Sequence, residues 1–226
     1  MGQYYKPYLK FDDGTEESYC PQNAIFMTRN GIGKSEDIKD HPKYRSYDFD
    51  DPDSWGRCFS GLKLMEHSWM CNDFVDGIIE RIEEKPARIA WVGDYSDEEA
   101  SNGSVDGYDM EIYRKVWSDS EKNEAALPEL PFPRVPEIHK TGYLVNHSKS
   151  IYIDLARYKE MNESSEGWCV HPLPLLTEIG NGKGGGDYWS NVGANALGSW
   201  AMDRIAYYEE LPEPLMEATY RFDSNV

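Results

Sequence analysis

Asn72-Asp73-Phe74-Val75-Asp76-Gly77-Ile78-Ile79-Glu80-Arg81-Ile82-Glu83-Glu84-Lys85-Pro86, running at once into Ala87-Arg88-Ile89-Ala90-Trp91-Val92-Gly93, is the stretch whose reading decides the fold. Phe74, Val75, Ile78, Ile79 and Ile82 fall at i, i+1, i+4, i+5 and i+8, the single apolar stripe of an amphipathic helix. Asn72 is placed to cap that helix, Asp73 complements the dipole in its first turn, and Pro86 is placed to stop it. Residues 88–93 are a short apolar run bounded by turn residues, the pattern of a buried strand. A helix running directly into a buried strand predicts a helix packed across a sheet. Phe74, Ile78 and Ile82 should then lie against the strand that carries Trp91.

Upstream, the tyrosine-rich run 3–11 reads as a strand that turns at Asp12-Asp13-Gly14-Thr15, because Asp-Gly tolerates the positive φ of a tight hairpin. Downstream, residues 96–107 are acidic and rich in Gly and Ser, a loop by composition. Residues 109–117 predict a second helix with Ile112, Tyr113, Val116 and Trp117 on one face. Residues 143–145 and 151–155 flank Asn146-His147-Ser148-Lys149 as a hairpin, and 159–167 read as a polar loop. Trp168-Cys169-Val170 reads as another strand, residues 198–208 suit helix or strand equally, and 217–222 look like a closing strand. Several hairpins with few helices predict an α+β fold, a mainly antiparallel sheet with one or two packed helices and long acidic loops. We expect a single domain over residues 1–226, with an acidic insertion at about 35–55 and a Pro-rich connector at about 127–137. The connector holds four prolines between positions 128 and 136, which excludes regular helix and central strand.

The formal charge of −18 argues against direct nucleic-acid binding and against a polybasic contact with anionic lipid. It favours docking onto a basic partner. Cys20, Cys58, Cys71 and Cys169 form no C-x-x-C pair and are too few for a disulfide scaffold, the pattern of reduced thiols in a cytoplasmic protein. No apolar run approaches the ~20 residues of a membrane span, and the first residues carry no signal-peptide pattern.

Two features stand out as candidate sites. Carboxylates concentrate at 36–53, 94–111 and 119–124, interleaved with aromatic residues that supply contact area. Within them Asp48, Asp50, Asp51, Asp53, Asp97, Glu98 and Glu99 are the expected partner-binding residues, standing in for phosphates. The alternative reading, a solvated acidic face, stays open. The aspartates at 48–53 lack the Gly and terminal Glu of a calcium loop.

The second feature is Gly180-Asn181-Gly182-Lys183-Gly184-Gly185-Gly186-Asp187-Tyr188, with His171 upstream. Lys183 is followed by Gly184 rather than Ser or Thr, so this is no P-loop, and the formal G-x-G-x-x-G match is weak in so glycine-rich a segment. Gly182, Lys183, Gly184, Gly185, Gly186, Asp187, Tyr188 and His171 are the ligand-binding candidates for a nucleotide-like molecule. Free N–H groups around a lysine can hold an anion without a dinucleotide fold. A tight multi-glycine turn packed on Trp189 explains the same residues. A distributed cluster of His67, Asp94, His171 and Asp187 and a Cys169–His171 pair are further arrangements; buried Cys and hydrogen-bonded His are their plain alternatives. No metal or cofactor is expected, and catalytic residues are not assigned.

Gly2-Gln3-Tyr4-Tyr5-Lys6, Gly61-Leu62-Lys63-Leu64-Met65-Glu66-His67-Ser68, Trp91-Val92-Gly93-Asp94-Tyr95 and the glycine run together resemble uncharacterised proteins of phages and bacterial mobile elements. The resemblance transfers no activity. It implies an accessory protein that binds and blocks host machinery. The expected function is therefore a non-enzymatic, phage-type inhibitory protein whose acidic surface engages a basic nucleic-acid-processing host protein. The alternative is a nucleotide-binding or nucleotide-hydrolysing protein built on residues 180–188.

Overall fold

A computed structural model of the chain describes residues 3–19, 64, 68, 70, 73–117, 141–164, 169–180, 196–212 and 214–222. The insertion at about 35–55, the connector at about 127–137 and the glycine run beyond Gly180 lie outside the described residues.

The predicted hairpin opens the chain. β1 (Tyr5–Phe11) turns at Gly14, whose φ is +86°, and returns as β2 (Glu16–Ser18). The strand predicted after the helix is β3 (Ala87–Gly93), an interior strand of the sheet that pairs with three others. One edge pairs with β1 along seven antiparallel rungs, from Tyr5↔Gly93 to Phe11↔Ala87. The other edge is shared. Ala87 and Arg88 pair antiparallel with β7 (Arg204–Tyr208), while Trp91 and Val92 pair parallel with β6 (Glu178–Ile179). Between them the Met202 N–H donates to the Ile89 carbonyl (2.7 Å) and the Trp91 N–H to the Thr177 carbonyl (2.7 Å). β4 (Tyr143–Asn146), β5 (Ile151–Asp154) and β8 (Met216–Glu217) extend the sheet beyond β7, in the order β2-β1-β3-β7-β4-β5-β8. Among the described residues five of the seven strand pairings are antiparallel, so the fold is α+β with a mainly antiparallel sheet.

The two amphipathic helices expected from periodicity are α1 (Asp73–Arg81) and α3 (Met110–Trp117). α1 ends five residues short of Pro86, which is not what stops it. The Glu84 N–H donates to the Tyr207 carbonyl and the Tyr207 N–H to the Ile82 carbonyl, so pairing with β7 pulls the chain out of the helix. Glu84 turns with φ +52°. Two predicted loops are partly helical. α2 (Asp97–Asn102) forms within 96–107, with three acids in its first turn and Gly103 closing it at φ +66°. α4 (Leu155–Asn162) forms at 155–162, where the Asp154 side chain accepts the Arg157 N–H (2.9 Å) and Leu155 and Tyr158 are buried. The expected closing strand at 217–222 survives only as Met216–Glu217. Beyond it Asn162 holds the backbone of Tyr220 and Phe222, and their rings stack 6.4 Å apart. α5 (Pro172–Leu176) is a single buried turn.

Alternation along β1 and β3 divides the core in two. Tyr5, Leu9, Phe11, Ala87, Ile89 and Trp91 face one cluster, covered by α1 and joined by side chains of α4 and α5. Tyr8, Ala90 and Val92 face the other, closed by Ala100 of α2 and by Ile112, Val116 and Trp117 of α3. Phe74, Ile78 and Ile82 are buried as predicted, and the Phe74 ring meets Trp91 edge-on at 6.4 Å. Ile78→Ala should therefore cost about 2–5 kcal/mol, from lost burial plus the cavity left behind. A urea titration reads this as a lowered midpoint at unchanged slope, and a loss below about 0.5 kcal/mol would contradict the packing.

Candidate functional site

The sites expected from the sequence do not all fall within reach of description. Asp48, Asp50, Asp51 and Asp53 lie outside the described residues, as do Gly182, Lys183, Gly184, Gly185, Gly186, Asp187, Tyr188 and His67. Asp97, Glu98, Glu99, Asp94, Gly180 and His171 are placed. The carboxyl end of β3 is where all but His171 gather, because Asp94 and α2 follow β3 directly and Gly180 follows β6, the parallel neighbour of β3.

On the α2–α3 side this end is acidic. Asp94 continues the β1 pairing: its N–H donates to the Tyr4 carbonyl (2.9 Å), and its Oδ1 accepts the Tyr4 N–H (3.0 Å). Burial raises the Asp94 pKa above the ordinary carboxylate range, opposed by that N–H. The Ser96 hydroxyl donates to the Gly93 carbonyl and lies 2.7 Å from the Tyr108 hydroxyl, whose ionisation burial pushes upward. Tyr113 donates to the Asp94 carbonyl (2.8 Å) and the Trp117 indole to the Val92 carbonyl (3.2 Å). The backbone leaving β3 is thus held by three side chains, those of Ser96, Tyr113 and Trp117. Above it Asp97, Glu98 and Asp106 are exposed, whereas Glu99 is half-buried with Oε2 sealed from solvent and unpaired. Asp109 is spent on capping α3, accepting the N–H groups of Glu111 (2.9 Å) and Ile112 (3.0 Å).

On the opposite face of the same strand end lies a polar layer that no pattern in the sequence marked. Gln3, Tyr5 and Glu178 converge there over a floor of two glycines. The Tyr5 hydroxyl donates to Glu178 Oε1 (2.7 Å) and lies 3.0 Å from Gln3 Oε1. A Cβ on Gly180 would sit 2.3 Å from that hydroxyl and 2.6 Å from the Glu178 carboxylate; one on Gly93 would sit 2.2 Å from Gln3 Nε2. Gln3 is wholly buried, yet Nε2 has no hydrogen-bond partner. A buried polar group left unpaired costs about 1–3 kcal/mol, so this amide is an expensive feature of the site. The glycines at 93 and 180 were the only trace of the layer in the sequence, and glycine alone does not name what lies over it.

His171 is a buried cap. Its Nδ1 accepts the Leu173 N–H (3.1 Å) at the start of α5, where Pro172 needs no partner. Burial pushes its pKa down to about 3, so the ring is neutral and Nε2 carries the proton without an acceptor. Cys169 Sγ lies 3.6 Å from the Val170 carbonyl, and a neutral imidazole supplies no charge to stabilise a thiolate. Among the described residues no three His, Cys, Asp or Glu side chains gather as a metal ion would need. No described helix is long and apolar enough to cross a membrane.

Two outcomes test this geometry. Gly180→Ala should destabilise the chain by more than about 1 kcal/mol, because its methyl collides with the polar layer. Tyr5→Phe in the same chain should recover part of the loss, and strict additivity of the two in denaturant titrations would place the collision elsewhere. For His171 the folded pKa lies below the unfolded value near 6.5, so its contribution is full above that pH and drains as pH falls from 6.5 toward 3. His171→Asn keeps a capping acceptor and removes the titration; its stability should vary less between pH 7 and 5, by up to about 1.4 kcal/mol per pH unit. Equal slopes for both proteins would mean that the ring is not held neutral.

Comparison of the chain with protein families, with characterised proteins and with solved structures finds no match.

Proposed function

We propose that this chain is a non-enzymatic binding protein that docks through the acidic end of β3 onto a basic surface, such as the nucleic-acid groove of a host protein, and blocks it. One observation carries this reading. Between Asp94 and Glu111 the chain bears seven carboxylates, and from Ile89 to Tyr113 it bears no Lys or Arg. Those carboxylates sit on α2, α3 and their connections, braced by the hydrogen bonds that fix Asp94, Ser96 and Tyr113 to the strand end. Lys115 of α3 offsets Glu111 (2.9 Å), but carboxylates still outnumber cations there. A fixed surface of one predominant sign raises association rates with an oppositely charged partner, its carboxylates able to occupy positions that phosphates otherwise fill. Tyr4, Tyr95 and Tyr113 are partly exposed beside it and supply aromatic area. An inhibitor of this kind is what a phage accessory protein would provide.

The test replaces Asp97, Glu98 and Asp106 with Asn, Gln and Asn, which keeps shape and removes three charges. Association with an arginine-rich peptide, followed by stopped flow at low ionic strength, should slow by roughly tenfold, and the wild-type rate should fall steeply with added salt. Identical on-rates for the two proteins across the salt series would remove this surface from the interface.

A further inference from the structure

We infer that Asn102 is a site of self-modification: its side-chain amide closes onto the Gly103 nitrogen, expels ammonia and leaves aspartyl and isoaspartyl forms at position 102. This chemistry belongs to the end of α2 and holds whether or not the docking surface does.

The chain holds three Asn-Gly pairs, at 30–31, 102–103 and 181–182, and only the second lies among the described residues. Glycine leaves its peptide nitrogen unshielded, and a Cβ at Gly103 would meet nothing within 4 Å, so base and water reach that nitrogen. Residues 101–104 are all exposed. α2 is six residues long and buries Ala100 alone, so its last turn opens at small cost.

The hydrogen bonds there prepare the reaction. Asn102 Oδ1 accepts the Ser104 N–H (2.9 Å), and the loop closed by that bond encloses the Gly103 peptide group. The side-chain carbonyl is thereby kept against the peptide that attacks it, and its oxygen already holds a donor for the negative charge that attack creates. One bond opposes: the Gly103 N–H donates to the Glu99 carbonyl. That carbonyl also receives the Ser104 N–H (3.3 Å) and the Ser104 hydroxyl (3.4 Å), so it is not orphaned when Gly103 lets go.

Hydroxide takes the Gly103 amide proton, and the nitrogen attacks Asn102 Cγ. The N–Cγ bond forms, the Cγ–Nδ2 bond breaks, and Nδ2 leaves as ammonia with a proton from water. Water then opens the succinimide ring, at Cγ to give aspartyl or at the main-chain carbonyl to give isoaspartyl, in which the backbone runs through Cβ and Cγ. The balance is amide plus water to acid plus ammonia. Either product adds a carboxylate between Glu99 and Asp106, and the isoaspartyl form also lengthens the backbone where Gly103 closes α2 at φ +66°.

Incubation of the folded chain at neutral and mildly alkaline pH, followed by proteolytic mapping and mass spectrometry, tests this. The peptide that carries position 102 should gain the mass difference between amide and acid, with isoaspartyl present beside aspartyl, at a first-order rate that rises with pH. Gly103→Ala shields the nitrogen and should slow the conversion by at least about tenfold, a barrier increase of about 1.4 kcal/mol. Should that methyl at positive φ unfold α2, Asn102→Gln carries the test: its longer side chain disfavours ring closure, so its amide should outlast that of Asn102 by at least about tenfold. An Asn102 amide still intact when a free Ser-Asn-Gly-Ser peptide has converted completely, a product without isoaspartyl, or a rate unchanged by either substitution would each overturn it.

Discussion

The strand Ala87–Gly93 is hydrogen-bonded along both edges, and everything else in the described chain is placed by that requirement. A buried strand has no water to satisfy its N–H and C=O groups, so each edge must find backbone partners. β1 serves one edge along its whole length. The second edge is served by segments far apart in sequence, β7 over Ala87 and Arg88 and β6 over Trp91 and Val92, with 202–203 and Thr177 filling between. The sheet forks there. Because β6 runs parallel to β3, the fork brings two strand ends out side by side, and the polar layer and the acidic surface occupy the two faces of that exit.

Charge is distributed to match. The hairpin strand β2 sends successive side chains to opposite faces, so Glu17 meets Arg81 of α1 while Glu16 meets Lys115 of α3 (2.5 Å). One short strand thereby ties the helices of both layers to the sheet. Such partly exposed pairs each contribute little on their own, typically below about 1 kcal/mol, and their role here is register. Arg204 with Asp12, Lys149 with Asp203 and Arg157 with Glu217 use up further cations at the other end of the sheet. Among the described residues, the run from Asp94 to Glu111 keeps its carboxylates without a Lys or Arg between them.

The parts of this fold legible in the sequence are those whose partner is local. The stripe from Phe74 to Ile82, the apolar run of β3, the Asp-Gly turn and the 143–155 hairpin each carry their pattern within about a dozen residues, and each is present. α2 and α4 were missed because they are short and polar. What holds them is a cap and a few buried side chains, such as Asp154 with Leu155 and Tyr158, against a core that composition does not reveal. The end of α1 was misplaced because a proline is a visible stop, whereas the pairing of Glu84 and Ile82 with Tyr207 joins residues more than 120 positions apart.

The same division governs the site. From the residues alone came the acidic surplus, the run of carboxylates after Asp94 and the glycines from Gly180 onward, because charge and backbone freedom are properties of composition. Only the tertiary structure brought Asp94 and Gly180 to one strand end, and only it showed Gln3, Tyr5 and Glu178 meeting over Gly93 and Gly180. Tyr5 and Glu178 stand 173 positions apart. Glutamine, tyrosine and glutamate at such distances carry no spacing to read; their chemistry exists only once antiparallel β1 and parallel β6 have been laid on opposite edges of β3.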